Sequence, residues 1–139
     1  MKNQLRPDRP LEHGLQGGLN PDSVSDGTIR LIALMVIAHW TSTQATLIAI
    51  EEPENGVHPH LAGHLVGILR KASETCQILA TTHDPSFLNH LDATELILSD
   101  KVNGATRMSC ANSVKNIEEF RQHFELGDLW MQGVLGATP

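Results

Sequence analysis

The stretch LIAIEEPENGVHPHL, residues 47–61, runs a short apolar segment into two adjacent carboxylates and then into a Pro-Glu-Asn-Gly turn. Two like charges at the end of a buried segment are unfavourable unless a cation, a proton or solvent offsets them. The run ATLIAI (45–50) is continuously apolar rather than alternating, which predicts a strand covered on both faces, as in a parallel sheet. Strand geometry sends Glu51 and Glu52 to opposite faces, so the two do not share one ligand symmetrically. One can hold a hydrated Mg²⁺ indirectly while the other positions and polarises an attacking water. A strand that simply ends in solvent with two surface glutamates is an equal reading of the pair taken alone.

Working outward, VSDGTIR (24–30) places Ser25 as the N-cap of a helix that continues through IRLIALMVIAHW, apolar nearly all round and therefore expected to be buried on most sides. Free backbone N–H groups, the helix dipole and the Ser25 hydroxyl would make an anion site there; an N-cap with a permissive Gly27 is the plainer reading. Downstream, PHLAGHLVGILRKASE (59–74) predicts an amphipathic helix with Pro59 in its first turn, and CQILATT (76–82) a second buried strand. A short helix follows over 84–91 and a third strand over 93–100. A hairpin turn is expected at Asn103-Gly104, a capped surface helix over 112–124 and a short closing helix or turn over 125–136. Residues 1–24 show neither hydrophobic period and read as an extended lead-in to a domain spanning 25–139.

Strands alternating with helices indicate an α/β fold with a mainly parallel sheet, in which ligands bind beyond the carboxyl ends of the strands. Both informative strand ends carry polar chemistry: Glu51-Glu52 after one, Thr82-His83-Asp84 after the next. A neutral His83 could donate to a phosphate oxygen or orient a water, although a lone histidine also serves as an ordinary structural residue.

Composition narrows the classes. With 139 residues one compact domain is expected, and a net charge of -6 offers no basic face for free-standing nucleic-acid or anionic-membrane binding. Cys76 and Cys110 lack CxxC spacing, which speaks for reduced thiols in a cytoplasmic protein rather than a disulfide framework or thiolate zinc site. The N-terminus has no apolar signal-peptide core, and the apolar run at 31–40 is about half a membrane span.

The order and spacing of these motifs resemble the C-terminal half of an ABC-class ATPase head, specifically the AAA_21 group of AAA-type ATPases, relatives of SMC-like, RecF-like and OLD-nuclease ATPases. In that resemblance Val24-Ser25-Asp26-Gly27 matches the signature motif and LIAIEE matches Walker B. Pro53 to Pro59 corresponds to the D-loop region in its EEPE…HP form, His83 to the switch (H-loop) histidine, and GDLWMQGVLG to the closing segment. The likeness implies ATP and Mg²⁺ as cofactors. Glu51 would hold the metal through water, Glu52 would act as catalytic base, and His83 would sense the γ-phosphate. Ser25 and Gly27 would contact nucleotide bound across a head-to-tail dimer. Glu51 departs from the more usual aspartate; Asp26 and Thr28 replace the second Gly and the Gln of the transporter-type signature, which weakens the expected contact across the dimer. Arg30 could support the signature loop, but one turn into its helix it is expected first as a surface or capping residue.

The sequence contains no G-x-x-x-x-G-K-[ST], and GLQGG (14–18) is not followed by Lys-Ser or Lys-Thr. Without that phosphate cradle one chain does not assemble a nucleotide site. The resemblance places the P-loop strand between the strands 45–50 and 76–82, which would then flank a gap. The expectation is therefore a C-terminal fragment, split half or truncated frame. It would be inactive until a P-loop-bearing N-terminal half or homologous subunit joins it, with nucleic acid reached only through partner domains and no membrane association. Two alternatives stand beside it. One is a non-catalytic interaction module, to which the missing P-loop points. The other is a metal-dependent hydrolase using Glu54, His58, His60 and His64, in which His60 and His64 share a helix face but no H-E-x-x-H glutamate lies between them.

Overall fold

The computed structural model describes residues 24–40 and 45–136. All but the last residue of the expected lead-in, and residues 137–139, lie outside that range.

The helix α1 (Asp26–Trp40) opens as its sequence demands. The Thr28 N–H donates to Ser25 Oγ at 3.2 Å, satisfying one of the free donors of the first turn, and the Ile29 N–H to the Ser25 carbonyl at 3.1 Å makes the first intrahelical bond. After it, β1 (Leu47–Glu51), a 3₁₀ turn at Pro59–Leu61, α2 (Ala62–Ser73) and β2 (Gln77–Thr81) form one βαβ unit. The strands pair in parallel from Leu47↔Gln77 to Glu51↔Thr81, so their carboxyl ends finish level. This register sets Glu52 beside the residues that follow Thr81.

Downstream come α3 (Pro85–Leu88), the antiparallel hairpin β3 (Ile97–Val102) and β4 (Ala105–Cys110), a 3₁₀ turn at Ala111–Ser113, α4 (Ile117–Phe120) and α5 (Leu126–Met131). The hairpin turns through Asn103 at φ 52° and Gly104 at φ 84°, the two positive φ values that a two-residue turn requires and that Asn-Gly supplies. Two apolar clusters result. Leu34, Leu65, Val66, Leu69 and Phe87 join α1, α2 and α3 beneath the parallel strands. Leu88, Ala93, Leu98, Ile117, Leu126 and Trp130 join the hairpin to the C-terminal helices. The chain is thus a mixed α/β fold with a small parallel sheet, as its alternation of strands and helices predicts.

The closing segment is seated by a glycine. Gly127 N–H donates to Asn89 Oδ1 at 2.7 Å, and a Cβ at this position would stand 2.2 Å from the Pro85 carbonyl oxygen. Only glycine lets α5 approach α3 that closely. At the C-terminal end of α2, Arg70 grips Glu95 with two bonds of 2.9 and 2.6 Å. The hydrogen bond from Arg70 holds the Glu95 carboxyl below the usual carboxylate range, and the same bond raises the Arg70 guanidinium.

Several expectations are corrected. There is no gap between the two predicted strands: β1 and β2 are hydrogen-bonded to each other along their whole length. A single α2 crossover returns the chain to the adjacent position, the shortest closure for a βαβ unit. Neither strand is covered on both faces, for Leu47 and Leu79 remain about half exposed on the side away from the helices. α1 is not buried on most sides either. Leu34 and Ala38 are buried where it meets α2, while Ile29, Ile32, Met35, Val36 and Ile37 are exposed among the described residues. The helix expected over 112–124 shortens to α4, because Asn116 takes a left-handed conformation (φ 60°) and Ile117 alone of that helix is buried.

Candidate functional site

The site lies where β1 and β2 end. The Glu52 N–H makes the last ladder bond, 2.9 Å to the Thr81 carbonyl, and Glu52 then turns into the left-handed region at φ 44°. A side chain in that conformation costs about 1–3 kcal/mol and persists only where its surroundings enforce it. Three contacts do so here. Arg30 Nη2 donates to the carbonyls of Glu52 (2.9 Å) and Glu51 (3.4 Å), the Asn55 N–H donates to the Glu52 carbonyl (3.1 Å), and Asn55 Nδ2 reaches Glu52 Oε2 (3.4 Å). Arg30 is exposed, as its position suggested, and is also a clamp from α1 onto the strand end.

The turn aims Glu52 at the neighbouring strand. Its Oε1 lies 3.1 Å from His83 Nδ1, an ion pair when the imidazole is protonated and a neutral hydrogen bond otherwise. His83 is held by its neighbours. Thr82 Oγ1 accepts from the Asp84 N–H at 3.0 Å, and Asp84 Oδ1 caps α3 by accepting from the Ser86 N–H at 2.7 Å, with Pro85 in the first helical turn. Thr82 Oγ1 in turn donates to Glu54 Oε1 at 2.5 Å. Glu54 is 8% exposed, a buried carboxylate under the turn, and its Oε2 has no partner among the described residues.

Glu51 stands at the exposed strand end opposite Thr81, and its carboxylate makes no hydrogen bond among the described residues. A single carboxylate without a hydrogen-bond partner among the described residues is compatible with Mg²⁺, which keeps most of its water and takes one or two carboxylates together with substrate phosphates. Ser25 and Gly27 have roles within the chain. Ser25 Oγ serves the α1 cap and bonds Thr28 Oγ1 at 2.8 Å. Gly27 packs against the 53–57 turn so closely that a Cβ would lie 2.0 Å from the Gly56 carbonyl oxygen. The first turn of α1 is thereby fixed against the turn that follows Glu52.

The metal-hydrolase alternative finds no support in this geometry. Among the described residues no three or more His, Cys, Asp or Glu side chains converge as a metal site. His58 and His60 instead stack, with ring centroids 4.9 Å apart, at the entry to α2. Three contributors escaped sequence reasoning as site residues, Arg30, Asn55 and Thr82, and Glu54 was considered only as a ligand of the metal-hydrolase alternative. Glu54 and Thr82 flank recognisable motifs, but a pairing between residues 28 apart leaves no local pattern.

Along the other side of β2 runs a groove of about 780 Å³ between this strand and β3, lined largely by apolar residues including Ile78, Ala80, Leu91, Leu98, Met108 and Trp130. The edge of β2 that faces away from β1 pairs with no described strand. Among the described residues no helix is long and apolar enough to cross a membrane.

Comparison with known proteins places this arrangement. Residues 7–89, more than half of the chain, match the AAA_21 family, described as "AAA domain, putative AbiEii toxin, Type IV TA system". No curated protein matches the sequence. Among solved structures, a chain from work on ATP-driven dimerization and DNA-stimulated activation of SMC ATPases superposes with a TM-score of 0.54 at 17% identity. The superposition covers 72% of this chain and 63% of that one, and it is a likeness of fold.

Proposed function

The chain belongs to the AAA_21 family of AAA domains, and from that premise we propose that residues 24–136 supply the water-activating and phosphate-sensing half of an ATP-hydrolysing head. The observation that carries this reading is the pairing of Glu52 with His83 at 3.1 Å, at the level ends of two parallel strands. Glu52, held in a left-handed turn by Arg30 and Asn55, presents a carboxylate that can orient an attacking water and accept its proton. His83 uses Nδ1 toward Glu52, and in its imidazolium form, where both ring nitrogens are donors, Nε2 would donate to an anionic oxygen of the nucleotide. Glu51 would hold Mg²⁺ through its water shell; that ion, when bound, neutralises charge on the transferring phosphoryl group. Ser25 and Gly27, at the N-terminus of α1, would face nucleotide bound by a second head arranged head to tail.

These residues include no lysine-bearing phosphate loop, so the reading requires one from outside them. The edge of β2 that pairs with no strand among the described residues, and the apolar groove beside it, suit an added strand, on the outer side of β2 rather than between the two strands. The exposed apolar residues of α1 and of the outer sheet face agree with a domain that is completed by association.

ATP turnover and nucleotide binding, measured with the chain alone and with a P-loop-bearing half, test the reading. The chain alone is expected to be inactive. The assembly is expected to hydrolyse ATP with Mg²⁺, and Glu52→Gln should retain nucleotide binding while turnover falls by about 10²-fold or more, the usual contribution of general-base catalysis. Robust hydrolysis by the isolated chain, or unchanged turnover in Glu52→Gln, would overturn it.

A further inference from the structure

The Glu54 carboxylate and the Thr82 hydroxyl meet beneath the site without touching any position expected to meet nucleotide. We infer that they form a buried strap that sets the spacing between the loop carrying Glu52 and the loop carrying His83, and that both are positioning residues for that pair. The inference presupposes the roles proposed above for Glu52 and His83.

The geometry supports this from both ends. On the first loop, Glu54 is 8% exposed and lies within a closed turn, with the Val57 N–H bonded to the Glu54 carbonyl at 2.8 Å and the Asn55 N–H to the Glu52 carbonyl at 3.1 Å. A displacement of the Glu54 side chain is therefore passed to Glu52 through the turn. On the second loop, Thr82 Oγ1 donates to Glu54 and accepts from the Asp84 N–H, so His83 sits between two residues pinned by one hydroxyl. The β1–β2 ladder ends just before these loops, and its last bond is the Glu52 N–H to the Thr81 carbonyl. Beyond it, the part-buried 2.5 Å bond between Glu54 and Thr82 links one loop to the other. The exposed Glu52–His83 contact, with His83 74% exposed, lacks the burial needed to hold its own geometry.

The choice of groups also separates positioning from plain stability. The Thr82 hydroxyl donates and the Glu54 oxygen accepts, so the pair fixes a direction and a distance. An apolar pair of similar shape would fill the same space and remove the unpartnered Glu54 Oε2, at the cost of the Thr82 acceptor for the part-buried Asp84 N–H. A purely structural strap would be replaceable in that way; a positioning one would not.

The test compares Thr82→Val, the double variant Glu54→Leu/Thr82→Val and Thr82→Ser with the wild-type chain and with Glu52→Gln. The imidazole ¹⁵N resonances of His83 report its pairing with Glu52 without any need for ATP turnover, so the outcome is independent of whether the chain hydrolyses ATP. Thr82→Val is expected to move the His83 Nδ1 resonance more than half of the way from the wild-type position to that of Glu52→Gln. The double variant is expected to be more stable to heat than Thr82→Val, because no carboxylate is left stranded, but to keep the displaced resonance, and Thr82→Ser to retain the wild-type one. If Thr82→Val does not fold, the double variant gives the same reading, since it leaves no buried carboxylate stranded. A wild-type Nδ1 resonance in the double variant, or no displacement in Glu52→Gln itself, overturns the inference.

Discussion

Replacing Gly27 with alanine sets two physical effects of opposite sign against each other. Gly27 is the second residue of α1, where alanine would ordinarily stabilise the helix by about 0.5–1 kcal/mol. Here the new Cβ would lie 2.0 Å from the Gly56 carbonyl oxygen and 3.0 Å from its carbon, so the contact must open by more than an ångström to reach ordinary separation. The obstacle is backbone in a turn already tied by the Val57-to-Glu54 and Asn55-to-Glu52 hydrogen bonds, and it cannot rotate aside as a flexible side chain would. Overpacking of this kind costs about 1–3 kcal/mol, which leaves a net destabilisation of about 0–2.5 kcal/mol after the helix gain. With a urea dependence of about 2 kcal/mol per molar, the unfolding midpoint should fall by up to roughly 1 M. Gly67→Ala is the internal control: Gly67 lies within α2, is exposed, and a Cβ there would meet nothing within 4 Å. That variant should be stabilised by up to about 1 kcal/mol. Urea unfolding followed by circular dichroism gives both midpoints. A rise for Gly27→Ala equal to that for Gly67→Ala would refute the claim that α1 is seated against the 53–57 turn.

Arg30→Met keeps an apolar stem while removing the donors to the Glu51 and Glu52 carbonyls, and should cost about 1 kcal/mol. Its specific signature is faster hydrogen exchange at the Glu52 amide, and unchanged protection there would show that the clamp is dispensable. Glu95 has its carboxyl lowered by the Arg70 hydrogen bond, so the folded state binds its proton less readily than the unfolded chain does. Its contribution is present above the ordinary carboxylate range and is lost as pH falls through the lowered folded value. For a pair this exposed that amounts to under about 1 kcal/mol. The melting temperature of Glu95→Gln should therefore lie below the wild type at neutral pH and converge with it in acid; a constant difference at every pH would contradict the assignment.

Much of the local architecture was legible because it answers local requirements. Asn103-Gly104 supplies the two positive φ values of a two-residue hairpin, Ser25 supplies the acceptor that the first turn of α1 lacks, and Asp84-Pro85 supplies the cap and fixed φ that start α3. The polar ends of the two strands were equally visible, since LIAIEE and ILATTHD break their apolar runs abruptly. What misled were apolar runs taken as evidence of burial. IRLIALMVIAHW and ATLIAI are as apolar as fully buried elements, yet both keep exposed apolar faces among the described residues. Hydrophobicity records that a surface is suited to be covered, and it does not say by which part of an assembly.

The sequence by itself determined the alternation of strands and helices, the placement of Glu51, Glu52 and His83 at strand ends, and the absence of a lysine-bearing phosphate loop from these residues. Only the tertiary structure decided that β1 and β2 are direct neighbours in a level register, and that Glu52 leaves its strand in a left-handed turn to meet His83. It alone placed Arg30, Glu54 and Thr82 behind that pair. The division has one cause. Caps, turns and periodicity are set by residues a few positions apart, whereas a contact across a βαβ crossover depends on how two strands align. That alignment is chosen by the packing of the whole unit and leaves no mark in the residues between.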